Sequence, residues 1–120
     1  MKVVVTSTGV KADSGLDPRF GRAAAFVLVD TETGETTSTD NTAAATAAQG
    51  AGVHAAETVS RLGAECVITG HCGPKAFRTL SAAGIQVFIG ASGTVADAIA
   101  QLEAGELQQA TGPDVGGHWA

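Results

Sequence analysis

The sequence predicts a three-layer α/β fold around a five-stranded mixed sheet, with elements in the order β-β-β-α-β-α-β-α. Three observations carry that expectation. A first β-branched run and then a pair of β-prone runs around a glycine turn precede any helical pattern. Three later segments repeat apolar residues at helical spacing. Short apolar runs alternate with those segments, as parallel strands joined by right-handed crossover helices do.

The first strand is "KVVVTST", a short β-branched run ending in small polar residues. "GVKADSGLDPRFGR" then holds three glycines and a proline with little hydrophobic period, and is expected to be an exposed loop. "AAFVLVD" and "TTSTDN" flank a turn at Gly34 and form an antiparallel hairpin, its second strand at a sheet edge where Thr and Ser meet water. From about residue 47 to 62, Val53, Ala56, Val59 and Leu62 recur at helical spacing, and Gly63 is the stop. "AECVITG" is the next strand. "PKAFRTLSAA" has Pro74 at a first helical position and ends at Gly84, and "IQVFIG" is the last strand. "TVADAIAQLEAGE" closes the fold with Thr94 as N-cap, Asp97 three residues on, and Val95, Ile99 and Leu102 on one face. Residues 1–110 are expected to be a single ligand-binding domain, and residues 111–120, Gly- and Pro-bearing, a flexible tail.

At 120 residues and 44% hydrophobic content the chain supports one core, since two would each be too small to offset chain entropy. Runs such as "AAAFVLV" are far shorter than a membrane span, and Met1-Lys2 leads straight into "VVVTS", so a cytoplasmic protein with no membrane partner is expected. A net charge of -5 argues against nucleic acid as a partner. The charge is nevertheless uneven. Lys11, Arg19, Arg22, Lys75 and Arg78 lie in or beside two glycine-containing loops, and no Asp or Glu occurs from Cys66 to Ala96. Ligands of such sheets bind beyond the carboxyl ends of the parallel strands. The loops there are residues 7–23, 70–75 and 90–94, with "QGAGVH" nearby.

The order of elements is that of ribonuclease H-like domains, so a two-metal nuclease is the first chemistry to test. Such sites need clustered carboxylates, usually one on the first strand. "VVVTSTG" offers none, Asp13 and Asp17 lie in the loop, and Asp97 faces away from its helix's apolar stripe. "GHCGPK" is not a P-loop, and no GxGxxG follows the first strand. Zinc would need paired ligand spacings that His54, His71, Cys72 and His118 do not supply. Cys72 stands just before a helix start and Lys75, where a thiol pKa falls, which allows a thiol oxidoreductase. Its potential partner, Cys66, is six residues upstream on a strand, reads as a packed core thiol, and does not have redox spacing. A preassembled anionic metal–sulfur cluster asks for less: amide donors, a helix N-terminus and a few cations.

"DPRFGRAAAF", "ITGHCGPKAFRTLSAAGIQVF" and "GTVADAIAQLEAGEL" resemble the signature blocks of the dinitrogenase iron–molybdenum cofactor biosynthesis family, with order and spacing agreeing over residues 1–110. Within that family the chain most resembles members from sulfate-reducing bacteria that carry a mixed molybdenum–copper sulfide cluster. The resemblance implies a ribonuclease H-like fold without nuclease activity or any other catalysis, used to bind a metal–sulfur cluster of the S2MoS2CuS2MoS2 type non-covalently. Thiomolybdate and copper would be its precursors, and ParA/MinD-like ATPases its protein partners. Carried over by position, the match implies Phe20, Gly21 and Arg22, with Arg19 beside them, at the cleft. It likewise implies Gly70, Cys72, Gly73 and Lys75 in the second block, where His71 departs from the common family pattern and is a further candidate by position, and Gly50, Gly52 and His54 at the start of the first helix. Cys72 is the candidate for a soft contact to copper. A cofactor-free adaptor acting on the ATPase is the alternative that the resemblance leaves open.

Overall fold

A computed structural model describes residues 1–46 and 50–112, the side chain of Ala44 excepted. The elements are β1 (Lys2–Ser7), β2 (Ala25–Asp30), β3 (Thr36–Asp40), α1 (Thr42–Ala45), α2 (Ala51–Arg61), β4 (Cys66–Ile68), α3 (Pro74–Ala82), β5 (Gln86–Ile89), α4 (Val95–Glu103) and β6 (Gln108–Gln109). One mixed sheet runs in the order β3-β2-β1-β4-β5-β6. β1, β4 and β5 are parallel neighbours, while β2, β3 and β6 are antiparallel additions.

Alternation along β1 builds two cores. Val4, with Phe26, Val67 and Val87, faces Ala55, Ala56 and Val59 of α2 and Leu80 of α3. Val3 and Val5, with Val27, Cys66 and Ile68, face Val95 and Ala98 of α4. The sheet is therefore the middle layer between α2 with α3 and α4 alone, because successive side chains of a strand point to opposite faces.

The sheet has six strands, not the five expected. Gln108 and Gln109 pair with Ile89 and Phe88, and the Ala110 N–H donates to the Val87 carbonyl at 2.8 Å. The chain turns back because Leu107 and Ala110 pack against the two cores while the glutamines stay exposed. A two-residue strand is too short to show a period of two, so no pattern announces it.

The first long helix also differs from expectation. It begins at Ala51, not near residue 47, because Gly50 sits at φ 76°, a left-handed conformation that stops a helix from extending backwards. A separate turn of helix, α1, precedes it, and residues 47–49 lie outside the described residues, as do the tail residues 113–120 with His118 and Trp119. Among the described residues no helix is long and apolar enough to cross a membrane.

Candidate functional site

Chain direction reverses across β1. From there the chain runs outward to β2 and β3, then crosses back by α2 to β4 on the opposite side. The carboxyl ends of β1 and β4 thus open at a topological switch point, where α/β sheets leave room for ligands. A cavity of about 380 Å³ lies among the loop after β1, the start of α2 and the start of α3.

Three backbone devices assemble it. The Phe20 N–H donates to the His71 carbonyl at 3.1 Å and the His71 N–H to the Pro18 carbonyl at 2.6 Å, which ties the "DPRFGR" loop to "GHCGPK". Gly70 lies against Pro18 so closely that a Cβ there would stand 2.7 Å from the proline's Cβ and carbonyl oxygen. Gly21 packs in the same way on the first turn of α2. Beneath these, the buried Thr6 hydroxyl bonds the Asp17 carbonyl at 2.6 Å and lies 2.9 Å from the Thr69 hydroxyl, holding the loop to both strand ends.

Phe20, Gly21 and Arg22 line the cavity from the loop, Gly50 to Val53 from α2, and Gly73 to Ala76, including Lys75, from α3. Among these described lining residues there are two cations and no carboxylate. Neither α2 nor α3 has a side-chain cap: Gly50 and Gly73 occupy the N-cap positions, and Pro74 follows at the first turn of α3. Two helix N-termini, each with a partial positive charge and amide donors, therefore open on one space. α4 is the contrast. Its Thr94 and Asp97 form a capping box, and its first amides donate to the carbonyls of Ala12 and Ser14. Loop 90–94 is consequently bound to residues 12–16 and does not line the cavity that the sequence expected it to share.

The remaining nominated residues stand elsewhere. Arg19 is held by both carboxylate oxygens of the buried Asp17, at 3.2 Å each, and is not part of the lining. His54 is exposed on the helix surface, with Nδ1 3.8 Å from Glu57. His71 is exposed, and its backbone, not its ring, makes the described loop bridge. Cys72 is 2% exposed and belongs to the core cluster with Phe20 and Ala76, on the cavity's inner side. Among the described residues no group of three His, Cys, Asp or Glu is placed to hold a metal ion.

Cys66 lies in the other core, across the sheet from Cys72, and neither thiol is in a disulfide. Desolvation, with Glu65 adding to it, lifts the Cys66 pKa from 9.0 to about 11. In that window the unfolded chain gives up a proton that the folded chain keeps, so stability falls as pH rises between the two values. The loss attributable to this thiol is about 2 to 3 kcal/mol by the upper end. Urea unfolding of wild type should therefore show a steeper alkaline loss than Cys66→Ala, and equal slopes would refute the assignment.

The Arg19–Asp17 pair is one that the acids of the same loop, Asp13 and Asp17, make available in sequence; sequence reasoning missed the apolar wall of Ala51, Val53 and Ala76, and Asn41. Asn41 is buried, with its side-chain amide on the carbonyls of Gly21 and Ala23. Its signal was legible: an Asn between a β run and "TAAA" is a helix-start residue.

The model of the dinitrogenase iron-molybdenum cofactor family matches residues 1–105. The apo form of the orange protein from Desulfovibrio gigas is similar at 42% identity and a TM-score of 0.91, over 95% of this chain and 96% of that one. A putative NifB protein from Thermotoga is 33% identical with a TM-score of 0.84, over 96% of this chain and 97% of that one. An uncharacterized protein of Methanocaldococcus jannaschii is 26% identical over 91% of this chain and 95% of its own length.

Proposed function

Because the chain belongs to the dinitrogenase iron–molybdenum cofactor family, we propose that it binds and carries an anionic metal–sulfur cluster, specifically a molybdenum–copper sulfide, without catalysing a reaction. The observation that carries this reading is the convergence of two helix N-termini without side-chain caps and two cations, Arg22 and Lys75, on one cavity whose described lining holds no acid. On this reading the scaffold is a ribonuclease H-like domain whose first strand has Thr6 and Ser7 where a nuclease would place a carboxylate.

The donor set fits such a cargo. Lining groups are N–H donors, cations and apolar faces from Phe20, Ala51, Val53 and Ala76. Terminal sulfides accept hydrogen bonds, and polarisable sulfide faces pack on apolar carbon. The described lining has no His, Cys, Asp or Glu, so the metals would arrive already coordinated by sulfide, as a cluster or as thiomolybdate and copper assembling in place. The cavity is also of small-ligand size, within the usual range of roughly 300–1,000 Å³. Cargo, charge and the absence of a long apolar helix among the described residues are consistent with a cytoplasmic carrier.

The direct test is titration of the metal-free protein with tetrathiomolybdate and copper. A visible charge-transfer band that survives desalting, with molybdenum and copper in fixed ratio by elemental analysis, is expected. Cys72→Ala, which removes a thiol outside the lining, should keep the colour. A wild-type protein that stays colourless and retains neither metal would sink the proposal.

A further inference from the structure

We infer that Asn41 is the positioning residue for the cavity's arginine, fixing both the backbone around Arg22 and the acceptor that aims its guanidinium. The inference rests on reading the cavity as an anion site. Asn41 follows β3 and is 5% exposed. Its side-chain amide donates to the carbonyls on either side of Arg22, Gly21 at 3.3 Å and Ala23 at 2.9 Å. Its backbone N–H donates to the Ala24 carbonyl at 2.9 Å, and its own carbonyl accepts from the Ala45 N–H at 2.8 Å, which starts α1.

The last carbonyl of α1, that of Ala45, in turn accepts Arg22 Nη1 at 2.7 Å. A closed circuit results: the residue that clamps the loop at both neighbours of Arg22 also opens the short helix whose end receives the guanidinium. Only a side chain with two donors on one nitrogen can take both carbonyls, and Asp in the same shape would set oxygens against them. The acceptor matters as well. A helix C-terminal carbonyl orients a guanidinium through one of its several donors without adding a full opposite charge, whereas Arg19 is held bidentately by the Asp17 carboxylate. Among the described contacts the loop's two arginines thus have different acceptors: Arg19 the Asp17 carboxylate, outside the cavity lining, and Arg22 the Ala45 carbonyl.

Two readouts test this. In the metal-free protein, guanidinium NMR should show Arg22 with slowed Nη rotation and resolved signals, while exposed Arg78 gives averaged ones. Asn41→Ser and Asn41→Ala should collapse the Arg22 signals towards the averaged pattern. In titrations with tetrathiomolybdate and copper, either variant should lower affinity about tenfold, the size of one lost charge-assisted contact. The same substitution in an Arg22→Ala background should change affinity less than about twofold, because the residue it positions is gone.

If wild type takes up no cluster, the anion-site reading fails, and the NMR result still decides whether Asn41 holds the arginine. If wild type binds but Arg22 gives averaged signals in it, or the Asn41 variants bind as tightly, or their loss persists without Arg22, the inference is overturned. Should Asn41→Ala not fold, Asn41→Ser and the wild-type spectrum carry the test.

Discussion

Gly21→Ala is expected to lower stability by about 2 kcal/mol, roughly 8 °C in melting temperature for a chain of this size, and to abolish most cluster uptake. A Cβ at this position would lie 2.7 Å from both the Cα and the N of Gly52 and 3.0 Å from the Ala51 carbonyl carbon. These are backbone atoms in the first turn of α2, so no side-chain rotation relieves the clash. Nor can α2 back away freely, because the side-chain position of Gly52 itself faces Ala76 Cβ of α3 at 3.2 Å. Loop, α2 and α3 form a stack of three small residues at the cavity wall, and enlarging one separates the two helix starts whose convergence defines the site. Gly15→Ala is the control. Its added Cβ would meet Thr8 Oγ1 at an ordinary 3.5 Å, and a change within about 0.5 kcal/mol is expected. Melting curves and cluster titration of both variants check the result, and an unchanged Gly21→Ala protein would mean that the wall is not held as described.

The double variant Arg22→Ala with Lys75→Ala should weaken cluster binding by roughly 10² to 10⁴, since hydrogen bonds between charged groups contribute about 1.5–3 kcal/mol each. Its melting temperature should move little. Both side chains are exposed, and exposed charges contribute weakly to folding. Affinity of wild type should also fall as salt rises, with the double variant showing the flatter dependence, because fewer charges remain to be screened. Arg61→Ala supplies the comparison: it removes a cation from the last turn of α2, about 14 Å along the helix from the cavity. If Arg61→Ala costs as much affinity as the pair, the binding is general charge attraction and not a site.

These outcomes also mark how far residue pattern alone reaches. The hairpin around Gly34, the proline-started α3 and the Thr94 cap of α4 all formed where local signals put them, because turn, cap and period are short-range properties. The two basic loops met in one cleft as expected, since strand ends of a parallel sheet are neighbours whatever the loops contain. Arg19 and Arg22, three residues apart in one motif, were indistinguishable in sequence. The structure separates them through partners twenty or so residues away or buried: Ala45 for one, Asp17 for the other. Cys72, conspicuous among glycines, turned inward to Phe20 and Ala76, while the unremarkable Asn41 became the clamp.

Residue pattern alone sets the α/β class, the element order apart from the two-residue β6 and the one-turn α1, and an acidic chain with a basic pair of loops. Period, punctuation and charge are written residue by residue. Which helix starts stay open and which are consumed is settled by packing. α2 and α3 present uncapped N-termini to the cavity, whereas α4 spends its amides on Thr94 and on carbonyls of the first loop. That difference depends on which distant carbonyl comes within hydrogen-bond reach, and reach is a property of the packed chain.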